Sequence, residues 1–206
     1  MIESVMATCK YRKGHDLPSL SSETKTITVK KSTKNKSGKR EKVEISYKDW
    51  KCFPIVSKVL SMKSESESIQ TAIPGCLVGI QLDIDPGLAK SNHLSGCVIT
   101  LKDDSEVTVS AKIVIEVKDY FPDYLTGSKK DFFLDAGDRI KLHVNSDQVN
   151  GTIMKYQKKH NSYNVFLDKP VSILKNTKVV MSMYGTDSIL AVCNIVGSEP
   201  CEILVE

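Results

Sequence analysis

Two aspartates stand two residues apart in the segment Ala72–Leu88, AIPGCLVGIQLDIDPGL, which is closed at both ends by Pro-Gly. On a strand that spacing would put both carboxylates on one face, as a general acid–base pair needs, and further oxygen donors in register would make a calcium loop. Directly before Pro86-Gly87, however, aspartate accepts backbone N–H bonds and shapes a turn, so Asp83 and Asp85 read as turn formers. The histidines (His15, His93, His143, His160) have neither HExxH spacing nor a neighbouring nucleophile pattern, and read as surface or half-buried side chains. No GxxxxGK[ST] loop is present to wrap a phosphate. The element Ser110-Ala111-Lys112, which guanine-nucleotide domains place against the base, falls mid-strand with no NKxD upstream. The cysteines (Cys9, Cys52, Cys76, Cys97, Cys193, Cys201) include no CxxC pair, and no ligand set has zinc spacing. No catalytic residue, metal site or cofactor is expected in this chain.

Recognition is a better fit to the charged residues. Between Lys25 and Lys42 lie eight Lys/Arg (Lys25, Lys30, Lys31, Lys34, Lys36, Lys39, Arg40, Lys42) against one acid, Glu41. Such a run is either a solvated loop or an electrostatic contact for phosphate, which needs clustered positive charge more than a fixed geometry. A second cluster, Lys155, Lys158, Lys159 and His160, has Tyr156 and Tyr163 close by. It reads as an ordinary hairpin rim or as a nucleic-acid backbone contact with stacking.

The elements that would position these residues are strands. With 206 residues, 40% hydrophobic and 26% charged, the chain is long enough for one large or two small globular domains. No apolar run reaches the roughly 18 residues of a membrane span, and the N-terminus lacks the apolar core of a signal peptide. Cys52, Cys76, Cys97 and Cys193 sit beside or within apolar strand-like runs, which predicts buried reduced thiols and a cytoplasmic location. Residues 1 to 23 carry turn formers and no periodicity, and read as a lead-in. The segment TKTITVK (Thr24 to Lys30) alternates as a strand, and Ser32 to Glu41 reads as a basic loop.

From Lys42 onward strand follows strand. EVTVSAKIVIEVK (Glu106 to Lys118) puts Val107, Val109, Ala111, Ile113, Ile115 and Val117 on one face. The second half repeats the habit in DRIKLHV, NGTIMKYQ, SYNVFLD, TKVVMSMY and SILAVCNIVG, separated by VNSDQVNG, KHN, KPVSILKN and GTD. Strands at about ten-residue spacing predict an all-β chain of two antiparallel barrels in tandem. The expected division is a lead-in with basic loop at 1–41 and β modules at 42–105 and 106–206.

The order of pieces carries a resemblance. Cys52-Phe53-Pro54-Ile55-Val56-Ser57-Lys58-Val59-Leu60-Ser61 is followed by Ile69 to Ile80 (IQTAIPGCLVGI), then Ile84-Asp85-Pro86-Gly87-Leu88 and Leu94-Ser95-Gly96-Cys97-Val98. This string resembles the second domain of the gamma subunit of eukaryotic and archaeal translation initiation factor two. That family has a PI-x-SK-x-x-S strand, an A-x-PGGLIG-x turn and strand, an IDP-x-L loop and an L-x-G-x-V strand. The match covers about residues 42 to 101. It continues more weakly into the family's third domain through DRIKLHVNSDQVNGTIMKY and NVFLDKPV…NTKVVMS.

The resemblance implies two tandem β-barrels of the translation-factor type, with the GTPase domain that precedes them in the family not represented. The GTP and magnesium of the family would belong to that domain. Family partners are methionyl initiator tRNA, the alpha subunit docking on the second domain, and the small ribosomal subunit; no membrane is involved. Lys34, Lys36, Lys39, Arg40, Lys155, Lys158 and Lys159 are then the candidate tRNA or phosphate contacts, and Pro74, Gly75, Cys76, Asp85 and Pro86 form barrel turns of the family motif. An elongation-type relative, or a GTPase-less paralogue that binds only proteins, is the alternative. Cys76 replaces the family's second glycine, and Asn92-His93 replaces an acidic-basic pair. The early strands of the first barrel are not recognisable in residues 1 to 41, so TKTITVK completes it or it stays open.

Overall fold

The computed structural model describes residues 5–8, 24–34, 39–52, 54–73, 75–90, 94, 97–101, 107–120, 133–174, 177–185 and 188–203. Most of them lie on strands. The first half contributes β1 (Val5–Thr8), β2 (Thr24–Lys34), β3 (Arg40–Lys48), β4 (Lys51–Cys52), β5 (Pro54–Ser57), β6 (Val59–Ser64), β7 (Glu67–Ile69), β8 (Gly79–Leu82) and β9 (Ile99–Leu101). One short helix, α1 (Pro86–Ala89), joins β8 to β9. The second half contributes β10 (Thr108–Tyr120), β11 (Arg139–Val144), β12 (Asp147–Gln157), β13 (Ser162–Ile173), β14 (Lys178–Met183), β15 (Ile189–Pro200) and β16 (Glu202–Ile203).

Strands β10 to β15 close into an antiparallel barrel in the order β10-β13-β12-β11-β14-β15. Period-two patterning explains the closure: Val109, Ala111, Ile113, Ile115 and Val117 of β10 are all buried, facing Ile140, Leu142, Ile153, Val165 and Met181 from the other strands. Close packing also selects Gly151, where an added Cβ would come within 2.6 Å of Val165 Cγ1 and 3.1 Å of the Phe166 carbonyl oxygen. Ser110-Ala111-Lys112 is a β-bulge, with the fully buried Ser110 hydroxyl accepting from the Lys112 N–H at 3.1 Å.

Among the described residues the first half does not close into a barrel. Its described strands form two small sheets, β5-β1-β9 and β7-β6-β8, and a separate hairpin β2-β3, while β4 pairs with β16 of the second half. Among the described residues, its buried hydrophobics are Ile45 and Cys52 alone, while Val56, Leu60, Ile73, Leu77, Ile80, Ile99 and Leu101 are exposed. TKTITVK does not complete a first barrel. It pairs with β3 and lies on the second-half barrel, where Tyr47 stacks on Phe166 (ring centroids 4.0 Å apart) and Val43 fills the space above Gly137.

Several boundaries differ from the sequence reading. Val5–Thr8, inside the expected lead-in, is a central strand between β5 and β9; its flanking partners, distant in sequence, supply the order that local periodicity lacks. The basic loop is shorter than Ser32 to Glu41, because β2 runs on to Lys34 and β3 starts at Arg40. KPVSI belongs to β13, its alternating apolar positions outweighing Pro170. VNSDQVNG is mostly β12, reached through a tight turn in which Asn145 takes a φ of 52°. Cys52 and Cys193 are buried as expected, but Cys97 is only partly covered and Cys76 is exposed, because the turn that carries it projects from the open half.

Candidate nucleic-acid interface

The basic run from Lys25 to Lys42 is a hairpin with two unlike faces. Exposure alternates along both strands: Ile27, Val29, Val43, Ile45 and Tyr47 turn inward, while Thr26, Thr28, Lys30, Lys42, Glu44 and Ser46 turn outward. Two cations near the inner face are neutralised. Lys31 bonds Glu41 at 2.9 Å, which raises its pKa, and Lys25 bonds Asp49 at 2.5 Å, which holds that carboxyl below its ordinary value. On the outer face Lys30 lies directly opposite Lys42, and nearer the tip, beyond a shift of register, the backbone of Lys34 pairs with that of Arg40. Of the expected contacts here, Arg40 and Lys39 are exposed, only the backbone of Lys34 is described, and Lys36 lies outside the described residues.

The hairpin is fastened by a buried carboxylate. Asp135 Oδ2 accepts both the backbone N–H and the hydroxyl of Thr33, and its Oδ1 accepts from the Ala136 N–H at 2.8 Å. No sequence pattern links Thr33 to Asp135; a polar residue inside the apolar stretch before β11 was the one available signal.

The second cluster divides differently from its expectation. Lys155 on β12 is exposed, as are Lys158, Lys159 and His160 on a single 3-10 turn between β12 and β13. Tyr163, however, is only 1% exposed, and the hydroxyls of Tyr120 and Tyr156 both donate to Asn161 Oδ1 at 3.1 and 3.2 Å. Burial raises the pKa of Tyr120 and Tyr163. Tyr120 and Tyr156 hold the left-handed Asn161 that ends the turn and Tyr163 is buried, so they are packing elements and not a stacking platform for bases. The lysines remain as the usable groups.

Gly75 has a φ of 99° with nothing within 4 Å of where a Cβ would lie, and Pro74 lies outside the described residues. Cys76 is exposed beside it, and Ile73 and Leu77 flank the turn at 67% and 90% exposure. Asp85 caps α1: its Oδ1 accepts the Gly87 N–H at 2.8 Å and Pro86 is the first helical residue. Asp85 therefore bonds its own local backbone, and Asp83 is exposed.

Two features went unseen in the sequence. Ser182 Oγ lies 3.2 Å from His143 Nε2 across β14 and β11, but Ser182 is 1% exposed and out of reach of a substrate. A cavity of about 150 Å3 is lined by Asp49, Trp50, Lys112, Glu199 and Cys201. Its charges are internally matched, with Lys112 bonded to Glu199 at 2.9 Å and 4.0 Å from Asp49. Among the described residues no cluster of His, Cys, Asp and Glu could hold a metal ion, and no helix is long and apolar enough to cross a membrane.

No protein-family model matches the chain. Curated relatives do: it is 29% identical over 136 residues to translation initiation factor 2 subunit gamma of Methanococcus aeolicus, covering 62% of this chain and 31% of that one. It is 30% identical over 102 residues to eukaryotic translation initiation factor 2 subunit gamma of Encephalitozoon cuniculi, covering 50% of this chain and 22% of that one. The likeness is to translation factors. Against solved structures, 96% of this chain aligns with 28% of a bacterial selenocysteine-specific elongation factor, at a TM-score of 0.55 and 12% identity. The chain thus has a translation-factor fold and spans about a third or less of the length of the relatives it matches.

Proposed function

We propose that this chain is a binding module of the initiation factor two gamma type, corresponding to its second domain at 42–105 and third domain at 106–206, which engages methionyl initiator tRNA and brings it to the small ribosomal subunit. The observation that carries the reading is the ordered motif string: in a chain whose relatives are initiation factor 2 gamma subunits, it folds as turn, strand and capped turn, from Gly75 through β8 to the Asp85 cap of α1. Contact with tRNA is electrostatic, through Lys155, Lys158 and Lys159 and through the basic run Lys34, Lys36, Lys39 and Arg40, and reads shape more than bases. No step of bond making is assigned to this chain; GTP chemistry belongs to the domain that precedes these two in the relatives.

The alpha subunit is assigned to the edge around Gly75 and Cys76. Exposed Ile73 and Leu77 support that placement, since a protein interface needs apolar anchors at its centre. The same two side chains also favour a second reading, a GTPase-less paralogue that binds proteins alone.

Filter binding to initiator and elongator tRNA across a salt series, with and without the alpha subunit, separates the two. Preferential retention of initiator tRNA that weakens steeply from low to moderate salt supports the module. Equal, weak, salt-independent retention of both tRNAs, with the alpha subunit still captured, establishes the protein-only alternative.

A further inference from the structure

The outward face of the β2-β3 hairpin has a charge arrangement that self-association of the fold does not explain. Lys30 and Lys42 are directly opposed across the ladder, and beyond a shift of register Arg40 pairs with the backbone of Lys34 nearer the tip. Opposed like charges on one sheet face are destabilising. Among the described residues Lys30, Arg40 and Lys42 make no ion pair, although acids are used to neutralise Lys25 and Lys31 elsewhere on the same hairpin. Arg40 and Lys42 are two residues apart on one strand, about 6.6 Å, and Lys30 sits about 5 Å across from Lys42. Toward the base the strip ends in Thr28 opposite Glu44, then Thr26 and Ser46, whose hydroxyls are bonded at 3.2 Å.

The composition of this face selects its ligand. Its tip-ward part offers cations and its base hydroxyls, the groups that contact phosphate and sugar, with Glu44 as the one acid on the face among the described residues. It has no apolar or aromatic position, so a protein partner finds no anchor and single-stranded bases find nothing to stack on. The hairpin is also held in place, by Thr33 on Asp135 and Tyr47 on Phe166, so its cations are presented at a fixed orientation.

We infer that the outward face of the β2-β3 hairpin is a phosphate-binding strip for the backbone of double-stranded RNA, with Lys30, Arg40 and Lys42 as its contacts. It shares Arg40 and the class of ligand with the function proposed above, and does not depend on which tRNA is preferred.

The test uses the whole chain and an end-labelled RNA duplex of about 20 base pairs with no tRNA features, followed by fluorescence anisotropy over a range of potassium chloride concentrations. Lys30→Gln with Lys42→Gln should weaken binding roughly tenfold at moderate salt and reduce the salt slope by about two, while Lys63→Gln, an exposed cation on β6, leaves the slope unchanged. Lys42→Glu serves as a fold control: it replaces repulsion with attraction across the rung, so it should raise Tm while weakening RNA binding further. A double variant with the wild-type slope overturns the strip and leaves the tRNA reading standing. Absence of duplex binding at every salt overturns it too. So does strip-dependent binding of polyglutamate tighter than that of the duplex, which would make the partner an acidic protein. Loss of initiator preference alongside strip-dependent duplex binding retains the strip and removes the tRNA assignment.

Discussion

Thr33 and Asp135, 102 residues apart, share one carboxylate oxygen: Asp135 Oδ2 accepts from the Thr33 backbone N–H at 3.0 Å and from its hydroxyl. Asp135 is 7% exposed, so this carboxylate depends on its donors. Asp135→Ala should cost about 3 kcal/mol and Thr33→Val about 1 kcal/mol in urea unfolding. Hydrogen exchange should then quicken across Thr24–Lys48 while β11 and β14 keep their protection. Uniform loss of protection over both regions would mean that the clamp does not act on the hairpin.

The Tyr47–Phe166 stack is the apolar half of the same attachment. Phe166→Ala should lose about 3 kcal/mol, as a buried aromatic does, and Tyr47→Ala less, because Tyr47 is only half-buried. A double-mutant cycle should leave a coupling of about 1 kcal/mol. A coupling near zero would show that the two rings stabilise independently.

Two glycines should respond to alanine by different routes. Gly151→Ala pushes a methyl against Val165 and the Phe166 carbonyl, and should cost about 2 kcal/mol or more, with loss of barrel integrity in near-UV circular dichroism. Gly75→Ala meets nothing but must hold a φ of 99°, so it should cost about 1 kcal/mol and be partly rescued by asparagine.

Acid should loosen the base of the hairpin. Lys25 holds the Asp49 carboxyl below its ordinary value of 3.8, by its hydrogen bond first. A lowered folded pKa gives stability that is present above the ordinary value and lost as pH falls through the lower one. Wild-type protein should therefore lose more stability than Asp49→Asn between about pH 5 and pH 2. Parallel curves for the two would remove the Lys25–Asp49 pair from the acid response.

Thiol reactivity should map the open and closed halves. In a Cys9→Ser background, a maleimide at neutral pH should label exposed Cys76 first. Cys193, fully buried and with its pKa pushed up to about 12 by burial, should label only after global unfolding. Cys52 should also be slow, because its thiol donates to Cys201 and its pKa is raised, chiefly by that bond. Early labelling of Cys193 would contradict a closed barrel.

The closed barrel was legible because period two is a local property: β10 and β11 bury the residues their alternation marks. The turn at Asp85 was legible for a similar reason, since the cap and Pro86 act on neighbouring backbone. Pairings between distant segments were not. Nothing in Val5–Thr8 announces a strand whose order comes from β5 and β9, and nothing near Thr33 points to Asp135. The basic run was visible as charge but not as two faces, because Ser32 to Glu41 is too polar to display the strand ends it contains. The tyrosines near Lys155 showed their chemistry in the sequence without their burial, and burial decided their role.

The parallel pairing of β16 with β4 sets Glu202 beside Lys51 and Ile203 beside Cys52. During synthesis, β4 has to wait with its backbone unpaired along that edge until residue 203 has left the ribosome, long after its neighbours β3 and β5 are available. This seam should consequently be among the last contacts to close and, having little of its own core, among the first to open under load.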